Sequence, residues 1–157
     1  MNIKLLQIGQ TKQNEIESLI QHFQKRLQHF INFEIVSLPD IKNTKSISED
    51  QQKSKEAELF LKHLSTSDWV VLLDEKGKSL TSRDFAKFYQ NKMNAGTKTL
   101  CFLIGGPYGF SKDIYRRAHQ KIALSPMTFT HEMIRLIYVE QTYRAFSIIH
   151  NLPYHHD

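Results

Sequence analysis

Three of the six glycines in this chain fall within residues 105–109, in the stretch LIGGPYGF. They follow the unbroken apolar run 100–104, which is typical of a strand covered on both faces. In open α/β sheets ligands bind beyond the carboxyl ends of strands, and backbone without Cβ atoms lets a flat ligand lie close and can take positive φ. The stretch predicts either a site for a nucleotide-like ligand or a tight strand-to-helix turn, and the pattern alone leaves both open.

The glycine stretch lacks the two common phosphate-binding motifs, and this limits the class of ligand that it could bind. It contains no G-x-G-x-x-G, and no Lys-Ser/Thr pair completes a Walker A loop. We therefore expect a weakly charged nucleoside rather than a polyphosphate. A second loop, Leu124 to Phe129, is rich in backbone donors, and its Met127 and Phe129 would form apolar walls for the ligand.

The helix expected after that loop, over residues 130–149, is apolar in nearly every direction. Such a helix is buried on more than one side. In so small a protein one side is expected to meet the sheet and another a second subunit. The alternative, a simple core helix, would leave a wide apolar face exposed, so the pattern favours dimerisation.

Polar residues near the end of the chain form a second candidate group. Glu140 and Arg144 lie one helical turn apart, which favours an ion pair, although Arg144 could instead bind an RNA phosphate. Tyr154 and His155 follow in the tail, where aromatic and imidazole groups can stack on a base and move protons. Apart from the terminal aspartate, no carboxylate or cysteine lies near the histidines, so no metal site is expected.

The elements that must position these residues alternate between strands and helices. Strands are predicted over residues 3–8, 33–38, 69–73, 100–104 and 122–124, and helices over 12–30, from Ser48 through a polar stretch, 81–93, 111–119 and 130–149. Residues 74–77 are predicted to be a turn. Thr11, Ser48, Thr81 and Ser111 are the predicted N-caps. The alternation predicts a single α/β domain with a mostly parallel sheet flanked by helices.

Composition sets broad limits on the partners. The net charge of +5 favours an anionic partner, of which nucleic acid is the commonest. Lys112, Arg116 and Arg117 are candidate phosphate contacts, although each alone fits an ordinary solvated helix face. The single cysteine, Cys101, is expected to be buried and inert, and its isolation favours the reducing cytoplasm. No apolar run is long enough to cross a bilayer, so no membrane partner is expected.

Five stretches together carry a resemblance that covers essentially the whole chain. They are LLDEKGK (72–78), FLIGGPYGF (102–110), LSPMTFTHEMIR (124–135), EQTYRAFSI (140–148) and the final PYHHD. In these the chain resembles the small SPOUT-class RNA methyltransferases and, within that class, the RlmH family. The resemblance implies an α/β knot fold with a deep trefoil knot at approximately residues 100–150, a homodimer, and S-adenosylmethionine bound in the knot. One departure is Thr130, where relatives often carry proline, which could loosen the loop.

The resemblance also implies roles for individual residues. The cofactor contacts would be Leu73, Gly105, Leu124, Ser125, Pro126, Met127, Thr128 and Phe129. Arg144, Tyr154 and His155 fall where the family places its RNA and catalytic groups. The implied reaction is methyl transfer to N3 of a pseudouridine in helix 69 of 23S rRNA, on the assembled 70S ribosome.

Within that reaction His155, supported by Tyr154, would take the N3 proton, and Arg144 would stabilise charge on the uracil oxygen. The alternative for the tail is that it merely seals the pocket. Two further alternatives concern the whole protein. It could methylate a tRNA nucleotide with the same fold and cofactor, or it could be a non-catalytic RNA-binding module.

Overall fold

Five parallel strands form one sheet in the computed structural model, which describes residues 1–155. His156 and Asp157, the end of the PYHHD motif, lie outside the described residues. The strands are β1 (Asn2–Ile8), β2 (Asn32–Leu38), β3 (Trp69–Ser79), β4 (Thr99–Ile104) and β5 (Gln120–Ala123), in the order β2-β1-β4-β3-β5. All four neighbouring pairs are parallel, which confirms the predicted α/β class.

Helices cover both faces of the sheet. They are α1 (Asn14–Leu27), α2 (Glu49–His63), α3 (Ser82–Asn94), α4 (Lys112–Arg117) and α5 (His131–Ile149), with a short 3-10 turn at Thr44–Ser46. On one face α1, α3 and α5 bury a core that includes Ile20, Tyr89, Phe102 and Tyr138. On the other face α2 and α4 pack against the sheet around Phe60 and Ile114. Parallel strands covered on both faces account for the fully apolar runs in β3 and β4.

Helix capping follows the local sequence with one exception. Ser48, Thr81 and Ser111 each accept a hydrogen bond from the backbone N–H three residues on, as predicted. Thr130 caps α5 in the same way, so a threonine at this position secures the start of the helix rather than loosening it.

The predicted cap at Thr11 is wrong, because a distant side chain takes over its role. Helix α1 begins only after Gln13, whose side chain makes no capping bond. The Glu132 carboxylate accepts from the backbone N–H groups of Lys12 at 3.1 Å and Gln13 at 3.2 Å. The Thr11 hydroxyl instead accepts from the buried Arg135 guanidinium at 3.2 Å.

The turn predicted at residues 74–77 is wrong in part, because the strand resumes beyond it. Leu73 and Lys78 both align with Ile122 of β5, so the intervening residues bulge out of the sheet. A Cβ added at Gly77 would come within 2.6 Å of the Ile122 backbone, which requires glycine there. Asp74, Glu75 and Lys76 therefore lie in a bulge within β3 rather than in a free turn.

Helix α5 is buried on the side that meets α1 and α3. Tyr138, Val139 and Phe146 are all within the core, and the Tyr89 hydroxyl there lies 3.0 Å from Thr142 Oγ1 and 3.3 Å from the Tyr138 hydroxyl. Another side of α5 is only half-buried and carries Met133, Leu136, Ile137 and Ile148. The helix is therefore apolar on two sides, of which the described chain buries one fully and the other only in part.

Candidate active site

A cleft lies at the carboxyl ends of β3 and β4. Its volume of about 540 Å³ lies within the range of small-molecule sites. The glycine turn after β4 (residues 105–110), the β3 bulge and the loop after β5 form its walls. Seven of the eight predicted cofactor residues line it: Leu73, Gly105, Leu124, Ser125, Met127, Thr128 and Phe129. Pro126 lies in the same loop but is not part of the lining.

The glycine turn owes its composition to close contacts within the protein. Only Gly109 adopts a positive φ, +77°, and not Gly105 or Gly106. The Gly109 N–H donates to the Gly106 carbonyl at 3.1 Å and closes the turn. A Cβ at Gly105 would lie 3.2 Å from the Gly109 carbonyl oxygen, and a Cβ at Gly106 would lie 2.3 Å from Glu56 Oε1. The positive φ of Gly109 favours glycine there, a Cβ at Gly105 would crowd the turn's own backbone, and a Cβ at Gly106 would meet the end of the Glu56 side chain. The backbone of all three glycines also lines the cleft.

The loop after β5 brings apolar side chains to the mouth of the cleft. Met127 is 72% exposed and Phe129 is 39% exposed. The loop is shaped locally by Ser125, whose hydroxyl accepts from the Met127 N–H at 2.9 Å. Large apolar side chains exposed beside bare glycine backbone form a surface suited to a flat ligand.

The rim of the cleft is acidic, a feature that the sequence analysis missed. Asp74, Glu75 and Lys76 line it together with Tyr115. The Tyr115 hydroxyl donates to Asp74 Oδ2 at 2.5 Å, and burial, reinforced by Asp74, raises the pKa of Tyr115 to about 12. Tyr115 therefore stays a neutral donor at physiological pH. Two carboxylates against one ammonium favour a cationic ligand over a polyphosphate.

A second group of side chains, here called the tail cluster, consists of Glu140, Arg144, Tyr154 and His155. Arg144 donates to Glu140 Oε1 from Nη2 at 2.6 Å and from Nε at 3.2 Å, which confirms the expected ion pair. The Tyr154 hydroxyl donates to the same oxygen at 3.0 Å. Arg144 also lies over the Tyr154 ring, 4.8 Å from its centre, with Nη1 3.5 Å from His155 Nδ1. Arg144 and Tyr154 thus meet at one carboxylate, and His155 lies beside Arg144.

The tail cluster does not line the cleft of its own chain. Ile134 on α5 reaches the cleft, whereas Arg144 lies ten residues further along the same helix. At the helical rise of 1.5 Å per residue this separates them by about 15 Å along the axis. Within one chain the structure joins the tail residues to one another but not to the predicted cofactor residues.

The basic residues of α4 differ in their availability. Lys112 is exposed, and Arg116 pairs with Asp113 on its own helix. Arg117 donates to the carbonyl oxygens of Ser65 at 2.6 Å and Asp68 at 3.0 Å, so it secures the loop before β3. Lys112 is accordingly the strongest of the three candidates for a phosphate contact.

Other candidate chemistry is limited. Cys101 is fully buried in β4, and burial raises the pKa of its thiol to about 12, which leaves it protonated. Among residues 1–155 no His, Cys, Asp or Glu side chains gather into a group that could hold a metal ion. Over the same range, no helix is both long enough and apolar enough to cross a membrane.

Comparison with known proteins points to one family. The family model described as "Predicted SPOUT methyltransferase" matches residues 1–155. The ribosomal RNA large subunit methyltransferase H of Christiangramia forsetii is 55% identical over 99% of both chains, and that of Parabacteroides distasonis is 52% identical over the full length of both.

Among solved structures, a probable methylase family protein from Haemophilus influenzae has a similar fold, with a TM-score of 0.53 at 16% identity. The match covers 96% of this chain and 66% of that one. Because the family model spans nearly every residue and full-length relatives share about half of them, this chain belongs to the SPOUT methyltransferase family.

Proposed function

We propose that this protein is an S-adenosylmethionine-dependent methyltransferase that modifies N3 of a pseudouridine in helix 69 of 23S rRNA, on the assembled 70S ribosome in the cytoplasm. The observation that carries the proposal is the cleft, where the glycine turn and the loop after β5 meet at the strand ends. Membership of the SPOUT family and the names of the full-length relatives support the reaction and the class of RNA. We place the trefoil knot, which the family implies, at approximately residues 100–150 of one domain spanning residues 1–157.

The residues of the cleft fit S-adenosylmethionine. Gly105 offers bare backbone, and Met127 and Phe129 offer apolar surface for an adenine ring. Asp74 and Glu75 suit a ligand whose sulfonium and ammonium groups are positive. Leu73, Gly105 and the loop 124–129 would hold the cofactor, which supplies an electrophilic methyl group when bound. The task left to the protein is to orient the acceptor and exclude water.

The acceptor needs a base and a positive charge, and the tail cluster contains both. The N3 imide proton must leave before or during attack. In this proposal His155, supported by Tyr154, takes that proton, and Arg144 stabilises the negative charge that develops on the uracil oxygen. The 3.5 Å separation of Arg144 Nη1 from His155 Nδ1 would let one base contact both groups.

The distance between cleft and tail cluster supports a homodimer. A site built within one chain would have to bridge about 15 Å along α5. A second copy, packed on the half-buried side of α5 that carries Met133 and Ile137, would bring its own tail towards the cleft. We therefore propose that each active site combines the cleft of one copy with the tail cluster of the other.

The RNA partner is proposed to be a folded ribosomal surface. The net charge of +5 is a modest excess for so small a protein. It favours binding to a folded RNA surface through many weak phosphate contacts, rather than recognition of a single nucleotide in a free strand. Exposed Lys112, close in the chain to the glycine turn, is the proposed phosphate contact near the cleft.

The deciding experiment offers methyl-labelled S-adenosylmethionine together with 70S ribosomes, free 23S rRNA or tRNA, all lacking the modification. We expect methyl transfer to ribosomes alone. We expect no transfer to ribosomes in which the target nucleotide is left as uridine instead of pseudouridine. Transfer to tRNA would replace the proposal with a tRNA methyltransferase. RNA binding with no transfer to any substrate would indicate a non-catalytic RNA-binding module.

A further inference from the structure

A half-buried arginine lies beside the tail cluster and belongs to neither predicted site. Arg26 is in the last turn of α1, and its guanidinium lies over the Tyr143 ring, 4.2 Å from its centre, and 5.5 Å from the centre of the Tyr154 ring. Arg144 lies 4.8 Å from the centre of the same Tyr154 ring. Two guanidinium groups, one from α1 and one from α5, therefore contact one residue of the tail.

The two arginines differ in what their donors bind. Arg144 donates to the Glu140 carboxylate from Nε and Nη2. The Arg26 guanidinium makes no hydrogen bond and no ion pair with any of residues 1–155, and instead packs against the two rings. A cation–π contact uses none of the five N–H donors of a guanidinium in a hydrogen bond. Arg26 is therefore held in place by packing while its donors remain available to an anion.

The chain around Arg26 carries positive charge that no neighbouring residue in sequence offsets. Residues 18–33 and residues 141–155 contain no Asp or Glu. Lys25 and His29, four residues apart on α1, are both exposed and lie on either side of Arg26 in the sequence. This end of α1 thus presents basic side chains to solvent without acidic partners of its own.

The ends of α1 and α5 meet and extend this surface. His150, exposed just after α5, stacks on Phe30 with ring centres 5.0 Å apart. The surface, here called the basic end, consists of Lys25, Arg26, His29 and His150. It borders the tail cluster through the contact between Arg26 and Tyr154. Basic side chains beside a site for an RNA base are complementary to the phosphates that flank that base.

The helix dipole accounts for basic residues at this position but not for their arrangement. Lys25 and Arg26 are in the last turn of α1, where positive charge offsets the negative end of the dipole, and Lys62 is in the last turn of α2. That effect needs no contact with the tail, whereas Arg26 packs against Tyr154. Lys62 is exposed on a helix that covers the other face of the sheet, so it provides a matched control.

We propose that the basic end binds rRNA phosphates next to the modified nucleotide, with Arg26 as its principal contact. The inference rests on the proposed function for the identity of the RNA. Arg26 donates to a phosphate beside the target while Arg144 and His155 face the target base. Phosphate contacts fix the position and orientation of a protein on a nucleic acid, and contacts to the base then select the nucleotide.

The test measures the Kd for unmodified 70S ribosomes over a range of salt concentrations, with S-adenosylhomocysteine present. It compares the full-length wild-type protein with Arg26→Gln, Lys25→Ala and the control Lys62→Ala. A phosphate contact releases counterions from the RNA, so its loss lowers the slope of log Kd against log salt concentration by about one.

We expect Arg26→Gln to weaken binding by about tenfold, as loss of one charged hydrogen-bonding group would, and to lower the slope by about one. Lys25→Ala is expected to change both quantities in the same direction by less. Lys62→Ala is expected to match wild type. An effect of Lys62→Ala equal to that of Arg26→Gln would show that only net charge matters and would overturn the inference.

The salt slope also distinguishes phosphate binding from support of the tail. Arg26→Lys keeps the charge and is expected to keep the slope of wild type. If Arg26 only supported Tyr154, Arg26→Gln would slow single-turnover transfer at saturating ribosomes and leave the slope unchanged, and the inference would be wrong. The Kd for S-adenosylhomocysteine should stay at the wild-type value, because no described residue of α1 lines the cleft.

A crosslink identifies what the basic end contacts. A photoreactive maleimide can be attached selectively to Lys25→Cys, because Cys101 is buried, and Lys62→Cys carries the same label as the control. On 70S ribosomes we expect the label at position 25 to crosslink to 23S rRNA and the label at position 62 to give no such product. Crosslinking of position 25 to a ribosomal protein instead would overturn the inference.

The proposed function fails separately. If the wild-type protein transfers no methyl group to 70S ribosomes, the RNA assignment is wrong and this role of the basic end falls with it. Normal wild-type transfer together with an unchanged salt slope in Arg26→Gln contradicts the role of Arg26 alone.

Discussion

The cleft and the tail cluster are built on different principles, although α5 contributes to both. The cleft is shaped by backbone: a glycine turn, a bulged strand and a loop with two exposed apolar side chains, Met127 and Phe129. The tail cluster is shaped by side chains, with Arg144 and Tyr154 both donating to Glu140. A backbone-lined cleft suits recognition of one small ligand, whereas paired charges can exchange partners when an anionic substrate arrives.

We infer a division of labour between the two regions. Arg144 donates to Glu140 from Nε and Nη2, while its Nη1 faces His155. The guanidinium is thus oriented before substrate binds and still has donors to offer. We expect damage to the cleft to appear in cofactor affinity and damage to the tail cluster to appear in methyl transfer.

The largest expected effect comes from combining a defect in each region. Gly106→Ala places a Cβ against the Glu56 carboxylate and is expected to impair cofactor binding strongly, whereas Arg144→Ala is expected to reduce transfer by about 100-fold. If sites are shared between copies, co-expressed variants recover about a quarter of wild-type activity, because half the dimers are mixed and each has one intact site. Methylation of 70S ribosomes measures the recovery, and activity no higher than that of either variant alone would place cleft and tail in the same chain.

Arg144→Ala alone is expected to lower the single-turnover rate by about 100-fold, the usual cost of losing one group that stabilises developing negative charge. The Kd for S-adenosylhomocysteine should stay within about twofold, since Arg144 does not line the cleft. Arg116→Ala removes an arginine that pairs on its own helix and serves as the control. An equal loss of affinity and rate in Arg144→Ala would contradict the division of labour.

His155→Ala is expected to slow transfer by about 100-fold at neutral pH, the lower end of the usual contribution of a general base. The deficit should shrink as pH rises, because hydroxide can then remove the imide proton in place of the histidine. A pH–rate profile for both proteins checks this expectation. Full single-turnover methylation by His155→Ala at neutral pH would show that the tail only seals the pocket.

Tyr154→Phe is expected to have the smallest effect, about two- to fivefold on the transfer rate. It removes one hydrogen bond to Glu140 but keeps the ring that packs beneath Arg144. Tyr154→Ala removes both and should cost more. Equal rates for the two variants would show that the ring contributes nothing to the orientation of Arg144.

Much of the fold was predictable because its signals are local. The caps at Ser48, Thr81 and Ser111 each depend on a bond that spans three residues, so the sequence contains both partners. Thr11 carried the same signal, but the cap did not form there, because Glu132, 120 residues beyond Lys12, accepts from the N–H groups instead. The return of β3 to the sheet after its bulge was equally hidden, since it depends on pairing with β5.

The candidate site was likewise predictable from the sequence only in part. The glycine turn and the loop 124–129 are contiguous segments whose residue types indicate a backbone-lined site. Asp74 and Tyr115 meet only because the β3 bulge lies beside α4, and no local sequence pattern indicates that pair. Glu56 was equally hidden, because a glutamate in a polar helix usually faces water.

The sequence by itself determined the class of fold, the position of most helices and strands, and the segments that form the cleft, because strand burial, helix capping and glycine turns depend on neighbouring residues. Only the tertiary structure decided what those segments face. It placed a carboxylate behind the glycine turn, an acidic rim on the cleft, and the tail cluster far along α5. These are contacts between distant residues, and hydrogen bonding and charge act through space rather than along the chain.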